Sequence, residues 1–177
     1  MNTKKSIIIF ISILVIMAWL LGSVTQSVAE TNKFRVVGQF SKAEFIPVGD
    51  VEGHIVALFE YRGLGFQDGE VAVISGSAYG DFIKGVGPVS NYIKWTYNDG
   101  STTVAKNQFN AKIAADGKTG LYEDGKGEFT MGTGRFAGIK GSTSFKGKRV
   151  TPFSPGLKET RGDFYTEGTM TYTLPSK

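Results

Sequence analysis

The chain of 177 residues contains no cysteine and a single histidine, His54. The first absence excludes disulfides, thiolate metal sites, thiol nucleophiles and cysteine-linked lipid anchors. The second excludes a multi-histidine metal centre within one chain and obliges any Ser-His-Asp triad to use His54. Proline is scarce, at five residues, and tryptophan scarcer, at two. Beyond residue 29 no window of ten residues carries an apolar stripe at i, i+3, i+4, i+7, which argues against a long helix. Hydrophobic residues at 41% and charged residues at 20% set the chain apart from disordered sequences. Neither a metal nor a cofactor is expected.

The one long hydrophobic run lies at the start. Lys4 and Lys5 form a short positive region, and Ile7 to Leu21 is apolar except for Ser12. Gly22 ends the run, and Ser27-Val28-Ala29 puts small residues at −3 and −1 relative to a cut before Glu30. This is the layout of a secretory signal peptide over 1–29, cleaved after Ala29, ahead of a single domain over 30–177. Fifteen apolar residues make a helix of roughly 22 Å, short of the roughly 30 Å hydrocarbon core that an uncleaved anchor must cross. Membrane contact is expected only if that leader is retained. The expected location is extracytoplasmic, in a periplasm or in the medium. The leader holds two of the 20 basic residues and none of the acids, so half of the formal +4 charge belongs to it. The remainder also keeps only one tryptophan, Trp95.

Glycine is the abundant residue, 24 in all, and its placement is patterned. Asp-Gly occurs at 68–69, 99–100, 116–117 and 124–125, each near β-compatible residues, and each predicts a tight hairpin turn. Val89, Ile93, Trp95 and Tyr97 alternate with Ser90, Tyr92, Lys94 and Thr96. Phe164, Met170, Tyr172 and Leu174 form a second stripe, and Ile55, Ala57, Phe59 and Tyr61 a third. A period of two sets one face toward a core. Eight strands are predicted, over 33–46, 54–66, 70–84, 89–97, 101–115, 118–131, 139–150 and 162–174, with one long Pro/Gly/Ser loop over 151–161. The fold class is therefore all-β. Consecutive hairpins favour an eight-stranded antiparallel up-and-down barrel, with an open sandwich as the alternative. Gly38, Gly76, Gly127 and Gly168 lie inside strands, where bends or bulges are expected.

Motifs carrying chemistry are few. Gly132-Thr133-Gly134-Arg135-Phe136-Ala137-Gly138 has the wrong glycine spacing for a dinucleotide loop and no helical stripe behind it, so it reads as a turn between strands. Gly76-Ser77-Ala78-Tyr79-Gly80 is not a nucleophile elbow. His54 lies near Asp50 and Glu52 and could serve as a base with an acidic orienter, although a polar surface role is the plainer reading. Asp116, Glu123 and Asp124 could gather a calcium ion but lack EF-hand spacing. Residues 44–81 carry a net −6 and residues 82–177 a net +6, with Lys140, Lys146, Lys148 and Arg149 the densest basic run. Alternation sends Arg149 to the face opposite the three lysines. Export and a modest total charge weigh against nucleic acid as a partner.

The segment Gly132-Thr133-Gly134-Arg135-Phe136-Ala137-Gly138-Ile139-Lys140-Gly141 resembles the allene oxide cyclase and dirigent type of β-barrel, and most of all bacterial exported proteins of that type without a settled activity. The resemblance implies a calycin-like barrel with an apolar cavity, often assembled as a homodimer or homotrimer. Cyclases of this type steer ring closure of a fatty-acid epoxide with polar residues that include a cysteine, which this chain lacks, while dirigent proteins bind phenoxy radicals and direct their coupling.

The expected function is binding of a small apolar or amphipathic molecule inside the barrel, with Phe59, Tyr61, Trp95 and Tyr97 as the ligand-facing residues. The same rings could instead simply fill the interior, giving a solid structural or interaction barrel. An isomerase or lyase of cyclase type is the enzymatic alternative. It needs a buried ionisable group, for which Glu60 and Arg62 are the candidates.

Overall fold

The computed structural model describes residues 28–114, 120–151 and 162–175. Residues 1–27 of the leader, the turn at Asp116-Gly117 and nearly all of the 151–161 loop lie outside the described residues. Eight strands follow one another along the chain: β1 (Glu30–Pro47), β2 (His54–Gln67), β3 (Glu70–Ile83), β4 (Gly87–Thr96), β5 (Thr102–Ile113), β6 (Gly120–Thr133), β7 (Lys140–Arg149) and β8 (Asp163–Thr173). Each pairs antiparallel with the next, and β8 returns to pair with β1, closing an up-and-down barrel. Closure satisfies both edges of the sheet, which lets the chain hold together without disulfides.

Turn chemistry sets the hairpins only in part as expected. Asp68 and Gly69 both adopt positive φ, 47° and 83°, giving the two-residue turn whose twist suits flanking strands. Asp99-Gly100 also makes a hairpin, between β4 and β5, but with another turn: only Gly100 is positive, and Asp99 caps the turn by accepting hydrogen bonds from the Ser101 amide and hydroxyl, both at 2.9 Å. Asp124-Gly125 is no hairpin at all. It lies within β6, where the pairing with β7 shifts register between Tyr122 and Gly125. The β3–β4 turn uses Lys84-Gly85, with φ of 51° and 83°, a pair without the Asp or Asn that marks such turns in sequence. The Gly132–Gly138 segment joins β6 to β7 as read: Gly132 and Thr133 end β6, and a 3-10 turn over Gly134–Phe136 runs on to β7 rather than to a helix.

Alternation sorts the side chains. Inward positions on β2 are Ile55, Ala57, Phe59, Tyr61 and Gln67; on β4 they are Val89, Asn91, Ile93, Trp95 and then Tyr97. On β1 the inward set changes parity, from Phe34, Val36 and Phe40 to Phe45, because the register shifts between Phe40 and Lys42. A bulge supplies this extra residue and bends the strand.

The glycines inside strands do not mark the bulges. Pairing shifts occur beside Phe40, Val104, Gln108 and Tyr122, none of them at Gly38, Gly76, Gly127 or Gly168. Instead these positions are where a side chain or backbone of another strand comes close. A methyl group at Gly38 would sit 2.5 Å from Phe164 Cζ, one at Gly76 2.3 Å from the Tyr61 hydroxyl, and one at Gly65 2.2 Å from Trp95 Cζ3. An aromatic ring laid across an inward glycine recovers the packing that the missing side chain forgoes.

Candidate functional site

The two ends of the barrel interior differ. At the end where β1 begins and β8 finishes, Trp95 stacks on Tyr97 at 6.4 Å, Tyr97 packs on Phe136 at 4.8 Å, and Phe136 meets Tyr172 edge-on at 6.1 Å. The Tyr97 hydroxyl donates to buried Gln67 Oε1 at 2.8 Å. Outside this plug, the Arg135 guanidinium lies 4.8 Å from the centroids of both the Tyr97 and Phe136 rings and makes a two-pronged pair with Glu70. The 3-10 turn is thereby fastened to the β2–β3 hairpin.

Above the plug lies a cavity of about 230 Å³ that extends to the end where β1, β3, β5 and β7 finish. One wall is aromatic and apolar. Phe40 packs on Phe59 at 5.1 Å and on Phe164 at 5.3 Å, and Phe59 continues to Phe45 and Phe82. The facing wall is mixed. Phe109 packs on Tyr122 at 4.5 Å, and both meet Phe145 edge-on at 6.0 Å. Between them runs a polar line: Thr143 Oγ1 donates to Asn107 Oδ1 at 2.9 Å, and Asn107 Nδ2 donates to Asn91 Oδ1 at 2.8 Å. Tyr122 and Thr166 share a hydroxyl–hydroxyl bond farther along the same side, and Arg149 lines the far end.

Burial governs the ionisation of these groups. It pushes the Tyr122 phenol up to about 12, and does the same to Tyr97 in the plug. Tyr61, whose hydroxyl donates to the Tyr92 carbonyl at 3.1 Å, is raised for the same reason. These phenols therefore stay protonated at neutral pH and can offer a hydrogen-bonding hydroxyl but no charge.

The four residues expected to face a ligand divide. Phe59, Tyr61 and Trp95 line the cavity, whereas Tyr97 sits one step deeper, inside the plug. Glu60 and Arg62 project from the outer face of β2 and are exposed, because alternation sets them opposite Phe59 and Tyr61. The candidates for a buried ionisable group thus point away from the interior. Arg149 does face inward, as its parity relative to exposed Lys140, Lys146 and Lys148 requires. Phe40, Phe45, Phe82, Phe109 and Phe145 were not singled out from sequence, and neither were Asn91, Asn107 and Thr143. A buried asparagine in an alternating strand looks like any outward polar residue until register is known.

His54 takes no part in the cavity wall, and both its ring nitrogens are bonded to carboxylates, Nδ1 to Asp50 and Nε2 to Asp81. With neither nitrogen free it is not arranged as a base. Of the calcium candidates, Asp116 lies outside the described residues, Asp124 is exposed and Glu123 pairs with Lys112 at 3.6 Å. Among the described residues no cluster of three or more metal-binding side chains exists.

No family model and no curated protein matches the chain. Two solved structures are similar in fold. A conserved protein of unknown function from Rhodopseudomonas palustris matches with a TM-score of 0.47 at 8% identity, over 83% of this chain and 99% of that one. The pterocarpan synthase dirigent protein GePTS1 matches with a TM-score of 0.45 at 12% identity, over 86% of this chain and 90% of that one.

Proposed function

We propose that the protein is an exported carrier or receptor barrel that holds one small amphipathic molecule in its interior. The observation that carries this reading is the cavity itself: about 230 Å³, walled largely by aromatic rings, with a hydrogen-bonded line through Asn91, Asn107 and Thr143 on one side. Apolar walls supply affinity, and a few placed polar groups supply orientation. A solid structural barrel would place side chains where this space lies. The apolar part of the ligand rests against Phe40 and Phe59, and its hydroxyl or carbonyl meets the amide line on the opposite side.

The test uses Trp95, the only tryptophan beyond the leader, which lines the cavity. Titration with the neutral fluorophore N-phenyl-1-naphthylamine should quench Trp95 emission and transfer energy to the probe. Filling the cavity from its wall, by Ala78→Phe or Ala111→Phe, should abolish both effects while leaving the circular dichroism spectrum intact. Native mass spectrometry of protein isolated from its own host should reveal a bound small molecule. Absence of any bound species, together with probe binding unchanged in both filled variants, refutes the reading.

A further inference from the structure

The β1–β2 loop lies at the end of the barrel that the cavity reaches, and it is tied down in an unusual way. His54 opens β2, with a side chain only 14% exposed. Its Nδ1 lies 2.5 Å from Asp50 Oδ1, in the loop, and its Nε2 lies 2.7 Å from Asp81 Oδ1, on β3. Ionised carboxylates only accept hydrogen bonds, while a neutral imidazole has one N–H to give. Both bonds can be made at once only by the doubly protonated ring. Beside it, the Lys84 amide donates to the Gly53 carbonyl at 2.9 Å, and Lys84 Nζ pairs with Glu52 at 3.2 Å, joining the same loop to the β3–β4 turn. Ile55, Phe82 and Gly85, the immediate neighbours of these elements, line the cavity.

We infer that His54 is a proton-operated latch: the imidazolium staples the 48–53 loop to the end of β3, and loss of its proton frees the loop at the end of the cavity. Losing either proton leaves a lone pair facing a carboxylate, so one bond is replaced by repulsion. The charged groups around the ring are Asp50 from the loop and Asp81 from β3, with the Glu52–Lys84 pair alongside. Two carboxylates against one imidazole raise its pKa above the ordinary 6.5. Since the folded value is the higher, the latch is complete below about 6.5 and is lost as pH rises through the folded value.

The experiment uses unliganded, untagged protein, so it does not depend on the cavity having a ligand. His54 is the chain's sole histidine, so its imidazole resonance titrates without ambiguity. The midpoint should lie above 6.5 and should fall in Asp81→Asn. Hydrogen–deuterium exchange of residues 48–53, corrected for intrinsic rates, should be about two- to fivefold faster above that midpoint than below it. In His54→Gln it should be fast at both pH values. A midpoint at or below 6.5, equal protection across the titration, or an unchanged pH dependence in His54→Gln overturns the latch.

Discussion

Gly65→Ala is a small change whose cost is set by one ring. Trp95 stands on β4 and reaches over β3, where Ala72 is opposite Gly65, to lie against the bare backbone of β2. The added methyl group would approach Cζ3 to 2.2 Å, so the ring must retreat roughly 1.5 Å to regain an ordinary contact. Two sides hold it, Phe34 edge-on at 5.8 Å and Tyr97 stacked on it, so a retreat toward the cavity that it also lines must break those contacts. Overpacking of this kind costs about 1–3 kcal/mol. Alanine recovers about 0.5–1 kcal/mol of chain entropy, because Gly65 does not use the positive φ that would strain it. The net loss should be about 1–2 kcal/mol, a fall of about 2–8 °C in Tm for a chain of this size. A double-mutant cycle isolates the cause. Trp95→Phe takes away the outer indole atoms that meet the methyl group, so in that background Gly65→Ala should keep only its entropic gain of about 0.5–1 kcal/mol. The coupling read from denaturant melts by circular dichroism should then equal the overpacking term, about 1–3 kcal/mol. Additivity to within about 0.5 kcal/mol would falsify the reasoning, since the loss would then not arise from the Trp95 contact.

Removing the Arg135 guanidinium by Arg135→Ala should lower stability by about 1 kcal/mol in urea titration, because it takes away a partly exposed ion pair and two ring contacts. Glu70→Gln should cost less, since it leaves those ring contacts in place. Tyr97 and Tyr122 are held near 12 when folded against about 10 when unfolded, so the unfolded chain releases protons first. Once His54 has lost its proton, stability should be flat toward pH 10 and fall between 10 and 12, with phenolate absorbance rising in step with unfolding. Asn107→Leu should weaken binding of a naphthol more than that of naphthalene, because only the naphthol uses the amide line; equal losses would remove that line from the ligand site.

The fold was legible because its signals are local. Alternation in 89–97, the Asp68-Gly69 turn and the absence of helical stripes each act over a few residues, and each is recovered in the barrel. What escaped depends on register. The inward run on β1 is broken by a one-residue shift after Phe40, so Phe40 and Phe45 do not look like one stripe although they line one cavity. Asp124-Gly125 has the residues of a hairpin turn but is spent on a bulge that seats Phe145. Tyr97 continues the same stripe as Trp95, and alternation says nothing about depth along the barrel axis. That is why one lines the cavity and the other lies in the plug. Arg149 was readable by parity alone, since it needed only its own strand.

Closure of the sheet through β1 and β8 has a geometric consequence for anything attached to the chain. Glu30 lies opposite Tyr172, so the first and last strands begin and finish together at the plugged end. A tether at either terminus, whether a retained leader, a fused partner or a surface linker, grips the barrel by its base. The end that the cavity reaches, where Arg149 lines the interior and the His54 loop lies, then points away from the anchor.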